Sequence, residues 1–137
     1  MIKEEYENLK QEIKKVAEKH SLLLALLFGS KAQGKILKDS DTDIAVLGVN
    51  PISFKDLISL HNEFAEVFKV KEIDVKSLHN TDPLFRCHVM RNAALLYGKT
   101  YDYNTFKAYA FRSYHDSHDL LRLKETLTKK RLHSFNV

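Results

Sequence analysis

The stretch LFGSKAQGKILKDSDTDIAV, residues 27–46, holds most of the chemical information in this chain. It begins at the end of a continuous apolar run, residues 22–28, which is too short for a buried helix and predicts a buried β-strand. Gly29 and Ser30 follow, and we interpret them as a turn between this strand and a short helix. Backbone N–H groups and the helix dipole at such a turn attract an anion, and glycine lets a phosphate approach closely. The pair therefore predicts phosphate binding, with an ordinary capped turn as the alternative.

Two carboxylates follow at the start of a second predicted strand. Asp41 and Asp43 are two residues apart, and because side chains of a strand alternate between its faces, both point to the same face. Mg²⁺ prefers carboxylate oxygens and keeps positions for water and substrate phosphates, so the pair favours Mg²⁺ over Zn²⁺. Asp74 lies in a third predicted strand, and it would come alongside Asp41 and Asp43 if that strand is the neighbour of theirs. The alternative for Asp41 and Asp43 is a polar loop that caps a strand. For Asp74 the alternatives are a residue that faces solvent or one that pairs with Lys76.

The spacing of apolar residues predicts helices around these strands. A helix over residues 53–68 begins at the N-cap Ser53, and a short helix begins after Asp82, with Pro83 at its first position. The C-terminal segment carries a long apolar stripe among charged residues, which predicts a helix that projects. The other predicted elements are a first amphipathic helix over 3–19, strands over 42–49 and 70–78, a short helix over 84–92 and an edge strand over 95–97.

The composition bounds the class of protein. The chain has 137 residues, 44% hydrophobic and 29% charged, with 4 Gly and 2 Pro, which is typical of one helix-rich domain. A single cysteine, Cys87, forms neither an intrachain disulfide nor a zinc cluster and fits a reducing cytoplasm. The longest apolar run is far shorter than the roughly 20 residues that span a bilayer, and the amino terminus is charged. We therefore expect a cytoplasmic protein with no membrane partner.

The net charge of +4 is spread along the chain apart from a short basic cluster, residues 129–131. Direct nucleic-acid binding would favour a denser basic face with interleaved aromatic residues. The charge pattern therefore disfavours nucleic acid as a direct partner.

The motifs together resemble the minimal nucleotidyltransferase family of the polymerase β superfamily. GSKAQG at residues 29–34 and SDTDI at residues 40–44 follow the fuller form of the family's motifs, with Asp74 as the later strand aspartate. The similarity in the order of elements covers residues 1–100. A bare Gly-Ser or Asp-x-Asp carries little information, but the combination at this spacing after a buried strand is specific.

The resemblance implies an α/β (α+β) fold with a polymerase β-like core. In this fold a short mixed sheet is flanked by helices, and a long helix follows at the C-terminus. Residues 1–100 would form the minimal nucleotidyltransferase domain. Residues 101–137 would form a helical extension that packs on this core or on a partner.

The resemblance also implies an activity, the Mg²⁺-dependent transfer of AMP from ATP with release of pyrophosphate. Carried over by position, Asp41, Asp43 and Asp74 are catalytic and bind metal, and Gly29 and Ser30 bind the phosphates of the nucleotide. Asp74 would in addition activate the attacking hydroxyl group.

Small members of this family are typically antitoxins whose partner is an all-helical HEPN ribonuclease toxin, and active ones add AMP to a tyrosine of that toxin. The resemblance thus implies a protein adenylyltransferase. The apolar stripe of the C-terminal helix leaves open a hetero-oligomer or a homo-oligomer formed through that helix. Two alternatives stay open: a catalytically silent antitoxin that masks its toxin, and a nucleotidyltransferase acting on a small molecule or a nucleic acid. The intact carboxylates favour catalysis over masking, and the short chain leaves little room for a separate acceptor-binding domain.

Overall fold

The computed structural model describes residues 3–28, 42–70, 72–79 and 81–135. These parts of the chain form four helices and four strands. In chain order they are α1 Lys3–Lys19, β1 Leu22–Phe28, β2 Thr42–Gly48, α2 Phe54–Phe68, β3 Ile73–Ser77, α3 Pro83–Asn92, β4 Ala94–Tyr97 and α4 Thr100–Phe135.

The four strands form one mixed sheet in the order β3-β2-β1-β4. Strand β1 pairs antiparallel with both β2 and β4, whereas β2 and β3 are parallel. Parallel neighbours require a crossover connection, and α2 provides it between β2 and β3. The predicted fold class, a short mixed sheet flanked by helices with a long C-terminal helix, is confirmed.

Helices cover both faces of the sheet because alternate residues of the central strands are apolar on both faces. On one face α1 and α2 pack against the sheet and form the first core. On the other face α3 and the first part of α4 form the second core. The first core includes Ile13, Ile44, Val46, Leu60, Phe64, Ile73 and Val75, and the second includes Leu24, Leu26, Ala45, Leu47, Val89, Met90 and Ala110.

Local side-chain contacts fix the helix starts that the sequence predicts. The Ser53 hydroxyl accepts a hydrogen bond from the backbone N–H of Asp56 at 3.2 Å. The Asp82 carboxylate accepts one from the N–H of Leu84 at 2.9 Å, and Pro83 occupies the first turn of α3. Each bond satisfies an N–H group that has no partner within its helix. Both predicted caps are confirmed.

Helix α4 has 36 residues and is therefore about 54 Å long. Its first part is anchored, since Ala110 is fully buried and Tyr103 and Phe106 pack against the second core. Its second part exposes large apolar side chains, among them Leu120 and Leu127. The helix thus extends well past the core that anchors it.

Two strands are shorter than the sequence predicts. Strand β2 ends at Gly48, and β3 covers only Ile73–Ser77 instead of residues 70–78. Lys69 ends α2 in the left-handed conformation with φ 54°, and Val70 packs against the first core without joining the ladder. The short helix predicted after Ser30 lies outside the described residues. Within the described residues, no helix is long and apolar enough to cross a membrane.

Candidate active site

Two of the predicted site residues lie side by side in the sheet. In the parallel ladder of β2 and β3, Asp43 is in register with Asp74. Neighbouring strands are about 4.8 Å apart, and residues in register point to the same face. The sheet therefore brings together two carboxylates that are far apart in the sequence.

The alternation of buried residues along β2 and β3 shows which face of the sheet carries Asp43 and Asp74. Ile73 and Val75 belong to the first core, so Asp74, between them, points to the opposite face. Ala45, two residues after Asp43, packs in the second core. Both carboxylates thus lie on the face covered by α3 and α4, at the end of the sheet where β2 and β3 begin.

Lys76 contacts Asp74 from the same strand. Its Nζ lies 3.6 Å from Oδ2 of Asp74, and the two side chains are 51% and 53% exposed. The same Nζ lies 5.4 Å from the ring centroid of Phe85 on α3. The pairing with Lys76 that we considered for Asp74 is therefore present, and it leaves about half of the carboxylate side chain open to solvent.

An aromatic pair connects α3 with the end of β1. The rings of Phe28 and Phe85 meet edge to face, with centroids 6.0 Å apart and an interplanar angle of 83°. Phe28 is in register with Asp43 across the antiparallel ladder, and it directly precedes Gly29 in the sequence. Neither Phe28 nor Phe85 can be predicted as a site residue from the sequence, because no spacing rule connects residues of different elements.

The remaining predicted site residues, Gly29, Ser30 and Asp41, lie outside the described residues. Two adjacent carboxylates form an oxygen donor set that fits Mg²⁺. Among the residues that the structure describes, no three His, Cys, Asp or Glu side chains converge on one point. A Mg²⁺ site at this edge would thus need ligands in addition to Asp43 and Asp74.

A second polar cluster lies on the opposite side of the sheet. Glu63 of α2 accepts hydrogen bonds from Lys19 and His20 at the end of α1. Burial of Glu63 by itself raises its pKa, but the hydrogen bonds and charges of Lys19 and His20 outweigh this effect, so the pKa of the carboxyl is lowered. The cluster links α1 to α2, on the face of the sheet opposite to Asp43 and Asp74.

The chain matches the family described as polymerase beta, nucleotidyltransferase, over residues 11–102, which is more than half of its length. It belongs to the polymerase β nucleotidyltransferase family. The match includes the motifs at residues 29–34 and 40–44, so the resemblance inferred from them is confirmed. Asp43 and Asp74, the two adjacent carboxylates, both lie within the matched nucleotidyltransferase domain.

A relative and two solved structures are similar to this nucleotidyltransferase. A Methanocaldococcus jannaschii protein named "putative protein adenylyltransferase" is 33% identical over 85 residues, which are 62% of this chain and 90% of the relative. A chain from a toxin–antitoxin crystal structure with AMP-PNP is 22% identical, with a TM-score of 0.71, over 86% of this chain and 98% of the other.

The second structure is that of tri-AMPylated Shewanella oneidensis HEPN toxin in complex with MNT antitoxin. A chain of it is 19% identical, with a TM-score of 0.66, over 89% of this chain and 98% of the other. At these identities the two structures establish a shared fold.

Proposed function

We propose that this nucleotidyltransferase is an antitoxin that transfers AMP from ATP to a tyrosine of a HEPN-family toxin and so neutralises it. The observation that carries the proposal is the register of Asp43 with Asp74, which puts two carboxylates side by side on one face of a nucleotidyltransferase sheet. The M. jannaschii relative, named as an adenylyltransferase of proteins, supports a protein acceptor. The fold shared with chains of toxin–antitoxin complexes supports a toxin as that acceptor.

The residues of the site have separate roles in the reaction. Gly29 and Ser30 hold the phosphates of ATP, and Asp41, Asp43 and Asp74 hold Mg²⁺. The bound cation supplies positive charge that stabilises the α-phosphate and the leaving pyrophosphate. The phenolic oxygen of the acceptor tyrosine attacks the α-phosphorus, and the bond from this phosphorus to pyrophosphate breaks. Asp74 accepts the phenolic proton.

The position of Asp74 suits it to be the base. Strand β3 is at the edge of the sheet, and the Asp74 side chain is 53% exposed. Asp43 lies on β2, between two neighbouring strands, and is only partly exposed. A bulky acceptor such as a folded protein can therefore reach Asp74 more easily than Asp43.

The exposed part of α4 is the proposed contact surface for the toxin. Leu120, Leu123 and Leu127 recur at intervals of three and four residues and therefore lie on one face of the helix. They are 67%, 54% and 56% exposed, which is unusual for a contiguous apolar stripe on a soluble surface. In this proposal residues 1–100 form the catalytic domain, and residues 101–137 form an extension that packs on the core at one end and on the toxin at the other.

Co-expression with a HEPN-type partner tests the proposal directly. The intact mass of the partner is measured after co-expression with the wild type, with the Asp41→Asn, Asp43→Asn double variant and with the control Asp56→Asn, which changes an acidic residue in the first turn of α2. We expect a gain of one or more AMP units with the wild type and the control, and none with the double variant. Fragmentation of the modified partner should locate AMP on tyrosine.

Other results separate the alternatives. An unmodified partner that still co-purifies and is inhibited would support a masking antitoxin. A partner that neither binds nor gains mass would favour a small molecule or nucleic acid as the acceptor. Loss of transfer in EDTA, with recovery on addition of Mg²⁺, would establish the metal dependence.

A further inference from the structure

Lys76 is placed to act on the proposed catalytic base. It follows Asp74 by two residues on β3, so both side chains leave the strand on the same face. The ammonium group lies 3.6 Å from Oδ2 of Asp74, one of the two carboxylate oxygens. An ion pair as exposed as this one contributes little to folding stability.

Aromatic packing restrains the ammonium group of Lys76. Its Nζ lies 5.4 Å from the centroid of Phe85, a distance at which the ring attracts a cation. The Phe85 ring in turn packs edge to face on Phe28, and Phe28 is in register with Asp43. Phe85 of α3 therefore contacts both Lys76, the neighbour of Asp74, and Phe28, the neighbour of Asp43.

We propose that Lys76, held against Phe85, is a positioning residue that fixes the orientation in which Asp74 accepts the proton of the acceptor hydroxyl. This inference rests on the proposed function. A carboxylate at an exposed strand edge otherwise samples several rotamers, and a general base must lie within hydrogen-bond reach of the proton it takes. The ammonium charge also repels a divalent cation, so Lys76 weakens metal binding at Asp74 while it speeds transfer.

Lys76 thus raises the rate of transfer and lowers the affinity for a divalent cation. A merely structural role would not produce both effects. Lys76→Gln removes the charge and keeps most of the side chain, whereas Lys76→Arg keeps the charge and the ring contact. Phe85→Leu removes the ring but leaves an apolar side chain against the second core. Lys107→Gln is the matched control, because Nζ of Lys107 lies 5.9 Å from the centroid of Tyr103 in the same kind of contact, on α4.

Two measurements are made on each variant. Initial rates of AMP transfer to the purified toxin give kcat and the KM for ATP. Electron paramagnetic resonance titration with Mn²⁺ alone gives the affinity of the nucleotide-free protein for a divalent cation. For Lys76→Gln we expect kcat to fall about tenfold, with the KM for ATP within about twofold of the wild type. We expect Mn²⁺ to bind about two- to fivefold more tightly, the range that exposed charge pairs produce.

The other variants complete the test. Lys76→Arg should restore both values, Phe85→Leu should shift both in the direction of Lys76→Gln, and Lys107→Gln should match the wild type. An unchanged kcat in Lys76→Gln would overturn the proposal. So would a raised KM for ATP, because Lys76 would then bind the nucleotide. If the wild type transfers no AMP to the toxin, the proposed function fails, and the Mn²⁺ titration still decides whether Lys76 acts on Asp74.

Discussion

Asp43 on β2 and Asp74 on β3 are in register across a parallel ladder, so two carboxylates are neighbours on one face of the sheet. Like charges at adjacent positions destabilise a sheet. Lys76 offsets part of this cost at Asp74, since its ammonium group lies 3.6 Å from the carboxylate. Two neighbouring carboxylates that lower stability, one of them exposed on an edge strand, are typical of a functional site.

Replacing either carboxylate should stop transfer without unfolding the protein. We expect Asp43→Asn and Asp74→Asn each to lower the rate of AMP transfer at least about 100-fold, the range for loss of a general base or a metal ligand. The midpoint of urea unfolding should stay the same or rise, because the repulsion between the two charges is removed. Asp56→Asn is the control for loss of one negative charge. A rate within about threefold of the wild type for Asp74→Asn would show that Asp74 is not the base.

Much of the fold can be predicted from the sequence because its signals are local. The caps at Ser53 and Asp82 depend on residues two or three positions away, and the apolar run that forms β1 is continuous. The motif at residues 29–34 and the Asp-x-Asp pair have a fixed spacing, which is why they identify the family.

The remaining features depend on contacts between distant elements. The length of β3 is set by its register with β2, and only five residues, Ile73–Ser77, find partners there. The contacts among Phe28, Phe85 and Lys76 join β1, α3 and β3. No periodicity within one element encodes such contacts, so the sequence predicted Asp74 but not the aromatic residues around it.

Gly98 cannot be replaced without loss of stability. Its φ of 125° is a conformation that residues with a Cβ rarely adopt, and a Cβ there would lie 2.6 Å from Cδ2 of Leu24 and 2.7 Å from the carbonyl oxygen of Leu23. Since this backbone oxygen cannot move away easily, we expect Gly98→Ala to lower the free energy of unfolding by about 2–3 kcal/mol. Urea unfolding measures the change.

The opposite substitution at Lys69 is a suitable comparison for Gly98→Ala. Lys69 has a φ of 54° at the end of α2, where glycine is favoured. A residue with a Cβ is destabilised by roughly 1–2 kcal/mol in this conformation, and glycine loses part of that gain as backbone entropy, so Lys69→Gly should raise the free energy of unfolding by about 1 kcal/mol. If Gly98→Ala were as stable as the wild type, the turn after β4 would have to be looser than the structure shows.

The Glu63 cluster should make stability depend on acidic pH. The hydrogen bonds and charges of Lys19 and His20 lower the pKa of Glu63 below its usual value of 4.5, against the effect of burial. A carboxyl with a lowered pKa in the folded state stabilises the protein fully above the unfolded value and loses this contribution as the pH falls through the folded pKa. The contribution of Glu63 should therefore be complete at neutral pH and decline below about pH 4.5.

Comparison with Glu63→Gln isolates this contribution. At neutral pH we expect the variant to be less stable than the wild type by about 0.5–1 kcal/mol, and the difference should shrink towards zero at about pH 3. Urea unfolding over this range measures it, with Glu66→Gln as the control for an exposed acidic residue on the same helix. A difference that stayed constant with pH would mean that the ionised carboxylate contributes nothing through Lys19 and His20.

The exposed stripe on α4 gives the sharpest test of how the partner binds. Leu120 and Leu127 are seven residues apart and share one face of the helix, whereas Leu121, equally apolar and 57% exposed, is turned about 100° away. Charge placed in an apolar interface must be desolvated, so Leu120→Glu with Leu127→Glu should weaken binding of the toxin at least about 100-fold. The helix content and the thermal midpoint should not change, because neither side chain belongs to a core. Leu121→Glu, the matched control, should bind as the wild type does. If the double variant still bound toxin but lost self-association, the stripe would be the interface for a second copy of this chain.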